Sequence, residues 1–322
     1  MDRHQLYHPE HHGIIAQCKE LPQCRRVSVE YDRNFCNRLH RFREPTRPGR
    51  NFCQVSSTYH HELWQGIARS VLRFSMRLPK VRVLTNILQN KIQTLVTPVG
   101  WAFSIWGIIF LSQLVFVVAQ FLPRYRAHEL VQVGVGYFYF AVCVAQFFWS
   151  PIFAREKIAL SSVVMAFILA PLVVITYQTS KIYHNNLTEY WILKFPFHVH
   201  CGWIIVAFAV NINATAVASE SSASTQFGLA IASLVYVVAA SVYALLLDNP
   251  NLAIPLVSAW ATLGIAIELN APNDLILSTF SDGRINTVRI ASACVCLVLV
   301  LTTLVCGVKK RGAYRADSSE TP

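Results

Sequence analysis

The chain has 322 residues, 54% of them hydrophobic and only 14% charged, with a mean hydropathy of +0.40. That balance excludes a soluble globular domain and indicates a polytopic membrane protein. The formal net charge of +11 belongs to the ends: residues 1–91 hold 16 Lys and Arg against 7 Asp and Glu, whereas residues 92–308 hold 8 of each. A basic extension beside a membrane suits anionic lipid headgroups better than nucleic acid, so lipids are expected partners and nucleic acid is not.

Residues 1–60 mix Arg, His, Pro and Cys without apolar periodicity and read as a disordered basic extension. Its four cysteines, Cys18, Cys24, Cys36 and Cys53, lack the CxxC spacing of a structural zinc site, so no metal or cofactor is expected. The other five, Cys143, Cys201, Cys294, Cys296 and Cys306, fall in apolar runs and read as small buried hydrophobes. Within 61–91, Trp64, Ile67, Val71, Phe74 and Leu78 recur at helical spacing, while Arg69, Arg73 and Arg77 form a second face. This pattern predicts an amphipathic helix lying on the membrane surface, followed by a linker. An organelle-import segment is the alternative, although such segments usually stand at the very N-terminus.

Seven uncharged stretches follow, at 96–122, 131–154, 158–180, 195–219, 221–247, 249–267 and 290–308. A helix needs roughly 20 apolar residues to cross a bilayer, so 92–308 reads as an all-α bundle of about seven transmembrane helices. Residues 309–322 form a basic C-terminal tail. Pro98 is expected in the first turn of the first helix, and Pro171 inside the third. Gly228 and Ala232 form a small-xxx-small step suited to close helix contact. Lys and Arg near the two sides number seven and eight, so the positive-inside rule leaves orientation open. Asn186-Leu187-Thr188 is a glycosylation sequon after the third stretch.

The first stretch begins TPVGWAFSIWGIIF, from Thr97 to Phe110. Three further blocks come later: QFFWSPIF at 146–153, FPFHVHCGWIIVAFAVNIN at 195–213, and VSAWATLGI at 257–265. In that order they resemble the tryptophan-rich sensory protein family, related to the translocator (peripheral benzodiazepine receptor) proteins, over about residues 85–308. The chain departs from the family where three arginines interrupt the apolar helix that precedes the signature elsewhere. The resemblance implies a cavity lined by tryptophans and asparagines, binding planar hydrophobic molecules such as tetrapyrroles or sterols. The positions carried over are Trp101, Trp106, Trp149, Trp203, Asn211 and Asn213. A homodimer is compatible with it.

Helical spacing gives a related candidate set. Trp106, Gln113 and Gln120 form one stripe on the first helix, and Tyr139, Gln146 and Trp149 form one on the second. His200, Trp203, Ala207 and Asn211 share a face of the fourth, and Trp260, Gly264 and Glu268 one of the sixth. These stripes are expected to converge on one cavity. Interfacial tryptophan belts and interhelical amide hydrogen bonds produce similar stripes without a ligand, and packing is the plainer explanation for any single residue. His198 and His200 point about 200° apart on a helix and cannot share one ion.

Two other functions compete with ligand binding. A membrane enzyme would have His200 and Glu268 as its acid–base pair, but no nucleophile–base pair, phosphate loop or metal box supports one. A seven-helix receptor would lack its usual marks here: the stretch 290–308 has no lysine for a retinal Schiff base. The resulting expectation is a multi-pass membrane protein, in an organelle or elsewhere, that binds and in some way transports or senses its ligand without being an enzyme.

Overall fold

The structure is a computed structural model that describes residues 92–182 and 186–319, with side chains as far as 309. The basic extension and the amphipathic helix expected within 1–91 lie outside the described residues. Among the described residues every regular element is helical. Seven principal helices follow in order: α1 (Ile105–Ala119), α2 (Phe138–Ala154), α3 (Ile158–Lys181), α4 (Phe195–Ala218), α5 (Ala223–Leu245), α6 (Ala253–Glu268) and α7 (Asp282–Ser319). Short helical turns at Gly100–Ser104, Pro123–Arg126, Leu130–Val135, Leu187–Glu189, Tyr190–Lys194 and Asp274–Thr279 join or prolong them.

Five of these helices, taken with the turns that continue them, are long and apolar enough to cross a membrane: Gly100–Ala119, Ile158–Lys181, Leu187–Ala218, Ala223–Leu245 and Asp282–Lys309. The other two, α2 and α6, are equally apolar but have only 17 and 16 residues. At 1.5 Å per residue they span about 24–26 Å, short of the ~30 Å hydrocarbon layer. The expected second span, 131–154, divides because Leu130–Val135 is wound as a π-helix and the chain then turns at Gly136 with φ of +46°. That backbone conformation is open to glycine without a steric penalty. The last helix begins at Asp282, earlier than the expected 290, and runs through residue 309 to Ser319.

The first helix also starts later than its apolar run suggests. Thr94 and Thr97 close a buried turn through their hydroxyls, 3.0 Å apart. Pro98 follows before any helix has formed, and the Val99 amide donates to the Gly264 carbonyl of α6 at 3.1 Å. Pro98 therefore packs against another helix instead of opening the first turn of its own. A Cβ added at Gly264 would stand 3.1 Å from the Pro98 and Ala102 side chains, so glycine lets this segment lie close on α6.

Helix α4 is the hub and packs against α1, α3, α5 and α6. Of its 24 residues, 17 are buried. It lies close on α6, where a Cβ on Gly202 would meet the Val257 Cβ at 3.0 Å and the Ile254 backbone at 3.1 Å. Polar ties fix the other faces. The Ser162 hydroxyl shares a hydrogen with Thr215 at 2.7 Å and donates to the Asn211 carbonyl at 3.1 Å, joining α3 to α4. The Asn213 amide donates to Ser233 at 2.7 Å, joining α4 to α5. Among the described residues the small-xxx-small step does not serve as a helix contact: Gly228 and Ala232 are exposed, and nothing lies within 4 Å of a Cβ built on Gly228.

Candidate ligand cavity

The start of α1, the end of α2, the first half of α3 and the middle of α4 meet around one space. A narrow, partly open cavity lies there, with room for little more than a water-sized molecule between the side chains. Its walls come from all four helices and the segment before α1. Trp106 and Phe103 stand on one side, Trp149 and Phe153 on another, and Met165 and Trp203 close it. The exposed wall is almost wholly apolar. The three indoles are buried, and two of the rings, Trp106 and Trp203, meet edge to face with centroids 6.2 Å apart.

Asn211 supplies the amide at this cavity. It is held from behind by Ser161, whose hydroxyl accepts from the Asn211 amide nitrogen at 3.0 Å while donating to the Ile158 carbonyl at 2.7 Å. With that hydrogen engaged, the Asn211 carbonyl oxygen keeps only a long 3.4 Å approach to Ser161. Among the described residues, the buried indole nitrogens of Trp149 and Trp203 have no hydrogen-bond partner.

Polar side chains of α1, α2 and α4 are buried as well. The Gln113 side-chain amide meets His200 Nδ1 at 2.8 Å, and Gln146 occupies the buried face of α2 between Tyr139 and Trp149. Phe116, Tyr139 and Phe197 pack edge to face in a closed triangle, with centroids 5.7, 4.7 and 5.1 Å apart. All three rings are completely buried.

Other expected site residues lie elsewhere. Trp101 is 40% exposed and stacks edge to face on Trp260 at 4.5 Å. The Trp260 indole donates to the Ala102 carbonyl at 3.0 Å. Glu268 accepts from the Gln93 amide at 2.5 Å. The shared face of Trp260, Gly264 and Glu268 thus packs on residues 93–102, and α6 gives nothing to the cavity wall. At Gly264 this face is covered by the segment before α1, while Ile254 and Val257 of α6 pack on α4. Asn213 likewise faces α5 instead of the cavity. His200 and Glu268 each have a separate partner, Gln113 and Gln93, and do not form the pair a membrane enzyme would need. His198 accepts or shares a hydrogen with Thr179 at 3.2 Å and belongs to the α3–α4 packing.

Sequence reasoning did not single out Phe103, Phe153, Met165, Val206 or Val210, which also line the cavity. A signal was present for two of them: Val206 and Val210 continue the spacing of Trp203 and Ala207 along α4. Among the described residues, no group of three or more His, Cys, Asp or Glu is placed to hold a metal ion.

The fold and its interior define a helical, multi-pass integral membrane protein with an aromatic cavity between helices. The profile of the family described as TSPO-like protein matches residues 72–305, and the chain belongs to that family. No curated protein and no solved structure matches it.

Proposed function

We propose that this protein binds a planar hydrophobic molecule of the tetrapyrrole or sterol class in the cavity between α1, α2, α3 and α4, and transports or senses it. The observation that carries this reading is that three helices each place one tryptophan, Trp106, Trp149 and Trp203, on a single narrow apolar space. Large rigid indole faces stack on flat ligands at little entropic cost. As it stands the cavity is much smaller than such a ligand. Because it is narrow, the rings must part as a ligand enters, and the edge-to-face contact of Trp106 with Trp203 is the one that yields. Asn211, braced by Ser161, orients the ligand.

The test is a titration of detergent-purified protein with a panel of porphyrins and sterols, followed by tryptophan fluorescence. Saturable quenching is expected, and weaker binding in Trp203→Phe by roughly fivefold, equivalent to one lost stacking contact of ~1 kcal/mol. Replacing Trp191, which is half exposed before α4, leaves binding unchanged. Absence of saturable binding across the panel, or equal losses at both positions, contradicts the proposal.

A further inference from the structure

One part of the cavity wall is wound differently from the helix it leads into. Gly100–Ser104 is a 3-10 turn, and α1 begins only at Ile105. The turn carries Phe103, one of the rings on the cavity. Phe103 and Trp106 both meet Trp203 of α4 edge to face, with centroids 5.5 and 6.2 Å away and interplanar angles of 81° and 79°. On its other side the turn is tied to α6. The Val99 amide donates to the Gly264 carbonyl at 3.1 Å, and the Trp101 ring meets Trp260 edge-on at 4.5 Å. The Trp260 indole N–H donates to the Ala102 carbonyl at 3.0 Å. That same carbonyl accepts from the Ile105 amide, the i+3 bond of 3-10 winding. Trp260 itself stands outside the cavity lining.

A 3-10 turn has poorer hydrogen-bond geometry than an α-helix, and runs longer than three or four residues are uncommon. A backbone carbonyl has two acceptor positions. At Ala102 the Ile105 amide and the Trp260 indole take both, whereas an α-helical turn would need the same oxygen for the Trp106 amide. We propose that Trp260 is a positioning residue for the cavity. Its bond to Ala102 keeps Gly100–Ser104 in the 3-10 form, and that form holds Phe103 against Trp203 and the cavity narrow. Without the bond the turn rewinds towards an α-helix, a change of about 20° and ~0.5 Å per residue. Phe103, two residues before Ile105, then swings by about 40° and leaves the edge of Trp203. Widening of the cavity is thus governed from a helix that gives nothing to its wall. The use of this latch in ligand entry rests on the binding reading above. Its effect on the cavity does not.

The test needs no ligand. Met165 lines the cavity, so a Met165→Cys thiol reports access to it when labelled with methyl methanethiosulfonate and quantified at that position by mass spectrometry. Adding Trp260→Phe keeps a ring against Trp101 but removes the donor. It is expected to raise the labelling rate roughly three- to tenfold, the factor corresponding to one hydrogen bond. Replacing Trp260 by benzothienylalanine, which has sulfur in place of the indole N–H, removes the bond alone and gives the same rise should Trp260→Phe fail to fold. Asn213→Ala breaks a tie between α4 and α5 and controls for general loosening, with labelling expected to stay unchanged. An unchanged rate on loss of the Trp260 donor, or an equal rise in Asn213→Ala, overturns the latch. The porphyrin and sterol panel then separates the latch from the binding site. Faster labelling without any saturable binding keeps the latch and overturns the site, and saturable binding with unchanged labelling does the reverse.

Discussion

Gln113 of α1 and His200 of α4 meet side chain to side chain at 2.8 Å, both almost wholly buried. The pair fixes the register of α1 on the hub helix, with Trp106 in edge contact with the His200 ring at 5.9 Å. Replacing Gln113 by Leu strands His200 Nδ1 in the interior and is expected to destabilise the protein by about 1–3 kcal/mol. The double replacement Gln113→Leu with His200→Phe removes both polar groups and should recover most of that loss. Thermal unfolding of the three variants in one detergent measures the coupling, and additive losses would show that the pair does not interact.

Gly202 and Gly228 both sit in apolar helices but have opposite surroundings. At Gly202 a side chain collides with the Ile254 backbone, which cannot move aside as a flexible side chain would. Gly202→Leu is expected to force α4 and α6 apart and lower stability by at least the ~1–3 kcal/mol typical of overpacking. Gly228→Leu meets open space and is expected to be neutral or slightly stabilising, because leucine is the better helix former. Melting temperatures in detergent check this, and equal shifts at the two sites would contradict the α4–α6 packing.

The two asparagines of α4 separate binding from stability. Asn213→Ala breaks the tie to Ser233 on α5 and is expected to lower stability by about 0.6 kcal/mol, a typical value for interhelical hydrogen bonds in membranes, without changing ligand affinity. Asn211→Ala removes the amide at the cavity and is expected to weaken binding. A ligand titration and a melt on each variant suffice, and a loss of affinity in Asn213→Ala would contradict the assignment.

Much of this arrangement was legible in the sequence, because helical spacing translates directly into shared faces. The stripes Trp106–Gln113 and Gln146–Trp149 are buried on α1 and α2, and His200, Trp203 and Asn211 are buried on α4. What spacing cannot give is which helix a face meets. The stripe of Trp260, Gly264 and Glu268 is real, yet its partner is the segment at 93–102. That segment is held there by a backbone bond between Val99 and Gly264, which leaves no periodic mark. The π-helical winding of Leu130–Val135 is equally silent, since its residues are as apolar as those of an ordinary span. The exposure of Gly228 and Ala232 has the same origin: a small-residue step reports the capacity for close contact and says nothing of a partner's position.

The central claim is that a flat hydrophobic ligand occupies the space between the three tryptophans, and photo-crosslinking tests it most directly. A diazirine-bearing porphyrin or sterol is bound to the purified protein, irradiated, and its adducts are mapped by mass spectrometry with unlabelled ligand as competitor. Competable adducts are expected on Trp106, Trp149, Met165, Val206 and Val210 of the cavity wall. Adducts confined to outward-facing residues such as Leu111, Phe167 and Leu246, which are exposed on the helix surfaces, would contradict the claim.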